Sequence, residues 1–158
     1  MRVTTPEMRL AELGIELPRV PKPAGMYRSS RQSGDLVFVS GHVPMDLDPA
    51  IPVIGQVGTD LTLEQAQAAA RHTALCMLAS LRADLGSLDR ISKVVKIFGM
   101  VKCAPGFTRT PEVINGASAL LIEIFGTEGT HARSAIGVAE LPFGMAVEIE
   151  MIVELEES

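Results

Sequence analysis

Apolar residues recur at two spacings along the chain, and the change from one spacing to the other predicts the order of its elements. Leu63, Ala66, Ala70, Ala74, Met77, Leu78, Leu81 and Leu85 return every three or four positions, which lays them along one face of a long helix. Thr62-Leu63-Glu64-Gln65 supplies a reciprocal capping box at its start and Gly86 its stop. A second helical stripe holds Val113, Ile114, Ala117, Leu120, Leu121 and Ile124. It runs from Thr110, the expected cap with Pro111 behind it, to Gly126. Strand-like runs surround these helices. Two lie between Tyr27 and Ser40, broken at Ser33-Gly34-Asp35 as a hairpin, and one runs from Ile91 to Lys102. Two more, Arg133 to Leu141 and Ala146 to Leu155, flank the turn Pro142-Phe143-Gly144. The predicted order is ββαβαββ, an α+β domain with a mixed sheet and both long helices on one face. Ahead of it, residues 4–14 read as a short helix with Thr5 as N-cap and Pro6 first. An extended, proline-punctuated linker follows from Leu17 to Pro23. The chain thus divides into an appendage, residues 1–23, packed on a single domain, residues 24–158.

Three of the strands are apolar on both faces, as in Leu36-Val37-Phe38-Val39 and in Val94 to Val101. Two helices cover one sheet face, and a strand buried on both sides needs a second cover. The pattern leaves no helix to supply it, which points to another copy of the same chain. Ile122 agrees, because it shares with Asn115 the side of the second helix turned away from the core stripe. The alternative is a monomer that uses its N-terminal segment as a lid.

Composition narrows the function. The 158 residues suit one domain, and with 47% hydrophobic and 21% charged residues the chain is no disordered acidic tail. A net charge of −5, one Tyr and no Trp speak against tracking a phosphate backbone or stacking on bases, so no nucleic-acid partner is expected. Cys76 and Cys103 form neither a CxxC pair nor a disulfide framework, and read as buried free thiols of a cytoplasmic protein. Met1-Arg2-Val3 and the residues after it lack the apolar stretch of a signal peptide, and no run approaches the roughly 20 apolar residues of a membrane span.

No phosphate-binding loop, dinucleotide fingerprint, HExxH or nucleophile elbow is present. His42, His72 and His131 lack ligand spacing, so neither a metal nor a cofactor is expected. Ser40-Gly41-His42 puts a hydroxyl beside an imidazole with no acid partner in view. Two features remain. Arg133 opens a strand of small and apolar residues, where a partly desolvated guanidinium needs an anion, either a fixed carboxylate or that of a ligand. Glu148 and Glu150 share one face of the last strand, opposite Val147, Ile149 and Met151. On a solvated face they are ordinary charges; on a face turned into an interface, one would have a raised pKa and serve as a general base.

These residues carry a family resemblance. Ser40-Gly41-His42-Val43-Pro44, Asn115, Val147-Glu148-Ile149-Glu150 and above all Ala132-Arg133-Ser134-Ala135-Ile136-Gly137-Val138-Ala139-Glu140-Leu141-Pro142 resemble the RidA/YjgF family of reactive-intermediate deaminases, also called L-PSP endoribonucleases. The likeness runs from about Tyr27 to Glu154, in a longer-chain branch. It implies a chorismate-mutase-like fold and a homotrimer with clefts between subunits. It also implies hydrolysis of 2-imino or 2-enamino acids to 2-keto acids and ammonia, without a cofactor. On that resemblance Arg133 grips the substrate carboxylate and Glu148 positions or activates the water. Tyr27, Ser40, Gly41 and Asn115 line the cleft. Ala135 stands where compact members commonly carry Cys: Ala serves as well if the role there is a backbone carbonyl holding the leaving nitrogen, and activity or substrate range differs if the role is the thiol's. Glu140 adds a charge near the strand end where several relatives have other residues. The scarcity of aromatic residues suits small aliphatic acids. The alternatives are a non-catalytic module that binds small carboxylates, and an endoribonuclease.

Overall fold

The computed structural model of the chain describes residues 4–156; the parts of the expectations above that fall on residues 1–3 and 157–158 lie outside it. Helix α1 (Pro6–Glu12) precedes strands β1 (Ser30–Ser33) and β2 (Leu36–His42), helix α2 (Leu63–Leu85) and strand β3 (Ile91–Lys102). Helix α3 (Thr110–Phe125) and strands β4 (Ala132–Val138) and β5 (Val147–Leu155) follow. After α1 the order is the ββαβαββ that the apolar spacing predicts. The strands form one five-stranded mixed sheet in the order β1-β2-β5-β3-β4. β3 and β4 run parallel, with α3 as their crossover, and every other pair is antiparallel.

Both long helices lie on one face, α2 over β2 and β5 and α3 over β3 and β4, and the two pack on each other. The capping box closes as expected: the Thr62 amide donates to Gln65 Oε1 at 2.9 Å and the Gln65 amide to Thr62 Oγ1 at 3.2 Å. Gly86 ends α2 at φ +85°, a left-handed conformation that glycine adopts without strain. Met77, Leu78, Leu81, Leu120, Ile97, Ile149 and Met151 are fully buried between helices and sheet. Among the described residues no helix or strand covers the other sheet face. Phe38 and Ile136 are each 44% exposed there, beside half-buried Phe98, Met100 and Ile152.

The N-terminal helix does not act as a lid on that open face. α1 docks on α3 and on the turn Leu88–Arg90. Leu10 is buried, Arg9 Nε donates to the Glu123 carbonyl at 3.0 Å, and the Glu7 carboxylate accepts from Arg82 and from the Leu88 amide.

Three boundaries depart from the sequence pattern. β1 begins at Ser30 rather than Tyr27, because Tyr27 sits in a bend where its phenol oxygen accepts from the Ala24 amide at 3.2 Å. β4 ends at Val138 rather than Leu141, since its parallel partner ends at Lys102, opposite Val138, and leaves no ladder beyond. Thr110 is not the α3 cap: Arg109 holds that position without a side-chain bond, and the Thr110 hydroxyl donates instead to the Ala135 carbonyl at 3.1 Å.

Candidate functional site

Arg133 lies on edge strand β4, opposite Ile97, and turns toward α3. Its Nη1 donates to Asn115 Oδ1 at 2.7 Å and to Ser118 Oγ at 3.1 Å. Asn115 and Ser118 are three apart on α3, so they stand one above the other on the same helix face. Behind them Ser118 Oγ meets His131 Nε2 at 3.0 Å, and His131 Nδ1 meets the Gly129 carbonyl at 2.6 Å. A carbonyl only accepts, so Nδ1 carries the proton and Nε2 accepts from the Ser118 hydroxyl. The Ser118 oxygen is thereby left with a lone pair for Arg133. Burial lowers the His131 pKa; the Gly129 carbonyl opposes this, and the Arg133 charge adds to the lowering. The imidazole is held neutral.

No carboxylate among the described residues pairs with Arg133; Arg9, Arg19, Arg71, Arg82 and Arg109 each have one, and the others that lack one, Arg28, Arg31 and Arg90, are exposed where Arg133 is half-buried. Among the described residues Nη1 is the only guanidinium nitrogen of Arg133 with a partner, which leaves Nε and Nη2 as an open planar fork. Ala135 stands two residues along the same strand, and its carbonyl accepts the Thr110 hydroxyl with one lone pair.

Glu148 lies on β5 opposite Met100, on the open sheet face, and makes no hydrogen bond or ion pair among the described residues. Burial raises its carboxyl pKa and the neighbouring Glu150 charge raises it further. The β2–β5 register shifts between Val39 and His42, an irregularity that swings Gly41 over this carboxylate. A Cβ at Gly41 would overlap the Glu148 carboxylate, so any other residue there would push that side chain out of its present position. Ser40 donates its hydroxyl to the Arg28 carbonyl at 2.6 Å, a bond that ties down the bend holding Tyr27 and Ser29. His42 turns the other way and is buried: Nδ1 donates to the Ser40 carbonyl at 2.7 Å and Nε2 meets Ser80 Oγ at 2.8 Å. It never faces the Ser40 hydroxyl, so no serine–histidine nucleophile forms.

Gly41 and Glu148 floor a cleft of about 400 Å³, walled by residues 21–25, Tyr27, Ser29, the Val43–Met45 loop and Phe143. Tyr27, Gly41 and Glu148 are thus brought together, with Ser40 as a support, and Asn115, Ala135 and Arg133 form a second group. Within one chain the two groups stay apart. Arg133 sits opposite Ile97 and Glu148 opposite Met100, which is three residues along the sheet, about 10 Å, and two strands across, about 9.5 Å. They also use opposite faces, the helix side for Arg133 and the open side for Glu148.

Ser118 and His131 are functional candidates that the sequence pattern does not single out. Their signals are Ser118 three residues after Asn115 and His131 two before Arg133, each on the same face as its neighbour. Elsewhere, Glu140 pairs with Lys102 at 2.8 Å, burial pushes the Cys76 thiol up to about 11, and Cys103, only half-buried, is also raised. Among the described residues no cluster of His, Cys, Asp or Glu is arranged to hold a metal, and no helix is long and apolar enough to cross a membrane.

Comparison with known proteins places this geometry among relatives. Residues 7–155 match the family model described as "YjgF/chorismate_mutase-like, putative endoribonuclease". Protein TCP17 of Trypanosoma cruzi is 47% identical over 92% of this chain and 91% of its own length. A 2-iminobutanoate/2-iminopropanoate deaminase of Dermatophagoides farinae is 31% identical over 90% of this chain and 95% of its own. Among solved structures, the protein Atu1372 of Agrobacterium tumefaciens, of unknown function, is 43% identical with a TM-score of 0.84, covering 96% of this chain and 92% of that one. A "putative endoribonuclease" of Shewanella oneidensis is 32% identical with a TM-score of 0.90, covering 96% and 100%.

Proposed function

The chain belongs to the YjgF/chorismate mutase-like family, and from that premise we propose that it hydrolyses reactive 2-imino acids to 2-keto acids and ammonia in a cleft shared between copies of itself. The observation that carries this is Arg133: a half-buried cation held by neutral acceptors, with an open fork and no carboxylate of its own. Such a fork suits a planar carboxylate held by two parallel bonds. Glu148 is the complementary case, an acid with no cation. Each group lacks the partner that the other end of a bound imino acid and its water would supply. Their separation on opposite faces of one sheet, and the apolar open face around Phe38 and Ile136, favour an assembly in which one copy supplies Arg133 and another Glu148. A homotrimer closes such head-to-tail contacts into a ring.

In that cleft the substrate carboxylate lies on Nε and Nη2 of Arg133, oriented by Asn115 and Ser118. The C=N carbon is already electrophilic, so orientation and a base suffice. Glu148 takes a proton as the water oxygen bonds to that carbon. That proton then passes to the carbinolamine nitrogen, the C–N bond breaks with its electron pair leaving on ammonia, and the carbinol O–H proton goes to the Glu148 carboxylate as the carbinol oxygen becomes the keto oxygen. In this reading the Ala135 carbonyl, which already accepts the Thr110 hydroxyl, also accepts from the departing nitrogen. We place this reaction in the cytoplasm, with no nucleic-acid partner. The −5 charge and the absence of a facing histidine pair among the described residues oppose RNA cleavage.

The test couples the protein to an amino-acid oxidase and follows imine loss. Arg133→Ala is expected to reduce kcat/KM by about 100-fold or more, and Arg133→Lys to recover little of it because a point charge lacks the fork. Unchanged acceleration by Arg133→Ala overturns the proposal.

A further inference from the structure

The wall of the Glu148 cleft contributed by residues 21–25 sets this chain apart from a bare α+β domain, and it is held in place. Arg19 pairs with Asp46 at 3.1 Å, which ties the start of the arm to the end of the 43–46 loop. The Ala24 amide donates to Tyr27 Oη at 3.2 Å and closes the other end. Between them Pro21 and Pro23 fix φ, so the arm is stiff. Across the cleft stands Phe143, at φ +60°. Asp46, at φ +54°, is the only other described residue besides glycine with positive φ. A bulky side chain pays for a left-handed backbone of this kind where the surroundings impose it, and such positions gather at binding sites. Phe143 is the bulky residue held this way and it lines the cleft; Asp46, of a type that tolerates the left-handed region, anchors the arm through Arg19.

The lining is mostly apolar, with Pro21, Pro23, Val43, Met45 and Phe143, and its charged members are Lys22 on the arm and Glu148 on the floor. The volume, about 400 Å³, falls in the roughly 300–1,000 Å³ range of sites that enclose ligands larger than a three-carbon acid. Resting on the deaminase reading above, we propose that the arm is the specificity wall of the site and selects 2-imino acids with branched or long aliphatic side chains, of the leucine or methionine type, over the three- and four-carbon ones. The carboxylate goes to Arg133, the C=N carbon to Glu148, and the side chain to the space between the arm and Phe143. The small aliphatic acids expected from the scarcity of aromatic residues become the poorer substrates.

The experiment compares imines generated in situ from leucine and from alanine, with kcat/KM read for each, and measures binding of 4-methyl-2-oxopentanoate and pyruvate by calorimetry. The wild-type chain is expected to favour the leucine-derived imine by about tenfold or more, the scale on which an apolar pocket rewards added methylenes. In Phe143→Ala and in the Pro21→Gly/Pro23→Gly double variant, that ratio should fall toward one, in turnover and in keto-acid binding alike. Turnover of both imines with equal kcat/KM, or a ratio unmoved by the variants, overturns the inference and leaves the deaminase reading intact. No turnover of either imine overturns the deaminase reading, and equal or absent binding of the two keto acids then overturns the inference as well.

Discussion

The two halves of the candidate site are built by different means. Around Arg133 the groups stand on or beside regular elements: β4 carries the guanidinium, one face of α3 carries Asn115 and Ser118, and His131, just ahead of β4, locks the Ser118 hydroxyl from behind. Around Glu148 the walls are loops, a register irregularity in β2, a proline-stiffened arm and Phe143 at positive φ. The first half suits the constant part of a reaction, holding one carboxylate in one geometry. The second suits the variable part, shaping space around a side chain. The halves also carry opposite charges, neither with an ionic partner among the described residues, on opposite faces of the sheet. That is the arrangement expected when the missing partner of each comes from outside the chain.

This contrast can be broken at several points. The largest effect is expected at the open face that would hold copies together. Ile136→Asp puts a charge where the side chain is already 44% exposed in the single chain, so folding should survive. Assembly should be lost, at a cost of about 2 kcal/mol or more per contact, and with it all imine turnover. Sedimentation alongside the coupled assay reads both. Next, Glu148→Gln should lower kcat by about 100- to 10,000-fold while keto-acid binding persists, separating the base from the carboxylate grip. The wild-type rate should fall as pH drops through a Glu148 pKa held above the ordinary carboxylate value by burial and by Glu150. The sign for stability is opposite. A carboxyl with a raised folded-state pKa favours the fold only below its ordinary value, and that contribution is lost as pH rises, so Glu148→Gln should not destabilise the protein at neutral pH. The smallest effect is expected behind the guanidinium. Ser118→Ala removes the hydrogen bond to the Arg133 cation, about 1.5 kcal/mol, along with the one to His131, and should raise KM about tenfold with kcat nearly unchanged. A purely structural role for Ser118 would instead lower the melting temperature without that split.

The same two halves were not equally legible in the sequence. Helical spacing, the Thr62–Gln65 box and the Gly86 stop are local patterns, and they predict α2 and its ends because the physics that sets them is local. Arg133 stands out as a cation among small residues. Glu148 and Glu150 look alike in sequence, and only the irregularity that brings Gly41 onto one of them tells them apart. Thr110 has the residue type and place of a cap, but the Ala135 carbonyl, 25 residues away, captures its hydroxyl first. Ser118 and His131 meet across a helix–strand crossover that no periodicity records. The arm reads as extended from its prolines, yet its role depends on Asp46 and Phe143, which are distant in sequence and adjacent only in the fold.

The central claim is that Arg133 of one copy and Glu148 of another form one site, and subunit mixing tests it most directly. Arg133→Ala and Glu148→Gln proteins, each inactive alone, are dissociated, combined in equal amounts and reassembled. Sites shared between copies should regain up to about a quarter of wild-type imine turnover, because random assembly pairs an intact Arg133 with an intact Glu148 at that frequency. No recovery from mixed assemblies that have demonstrably exchanged subunits would contradict it.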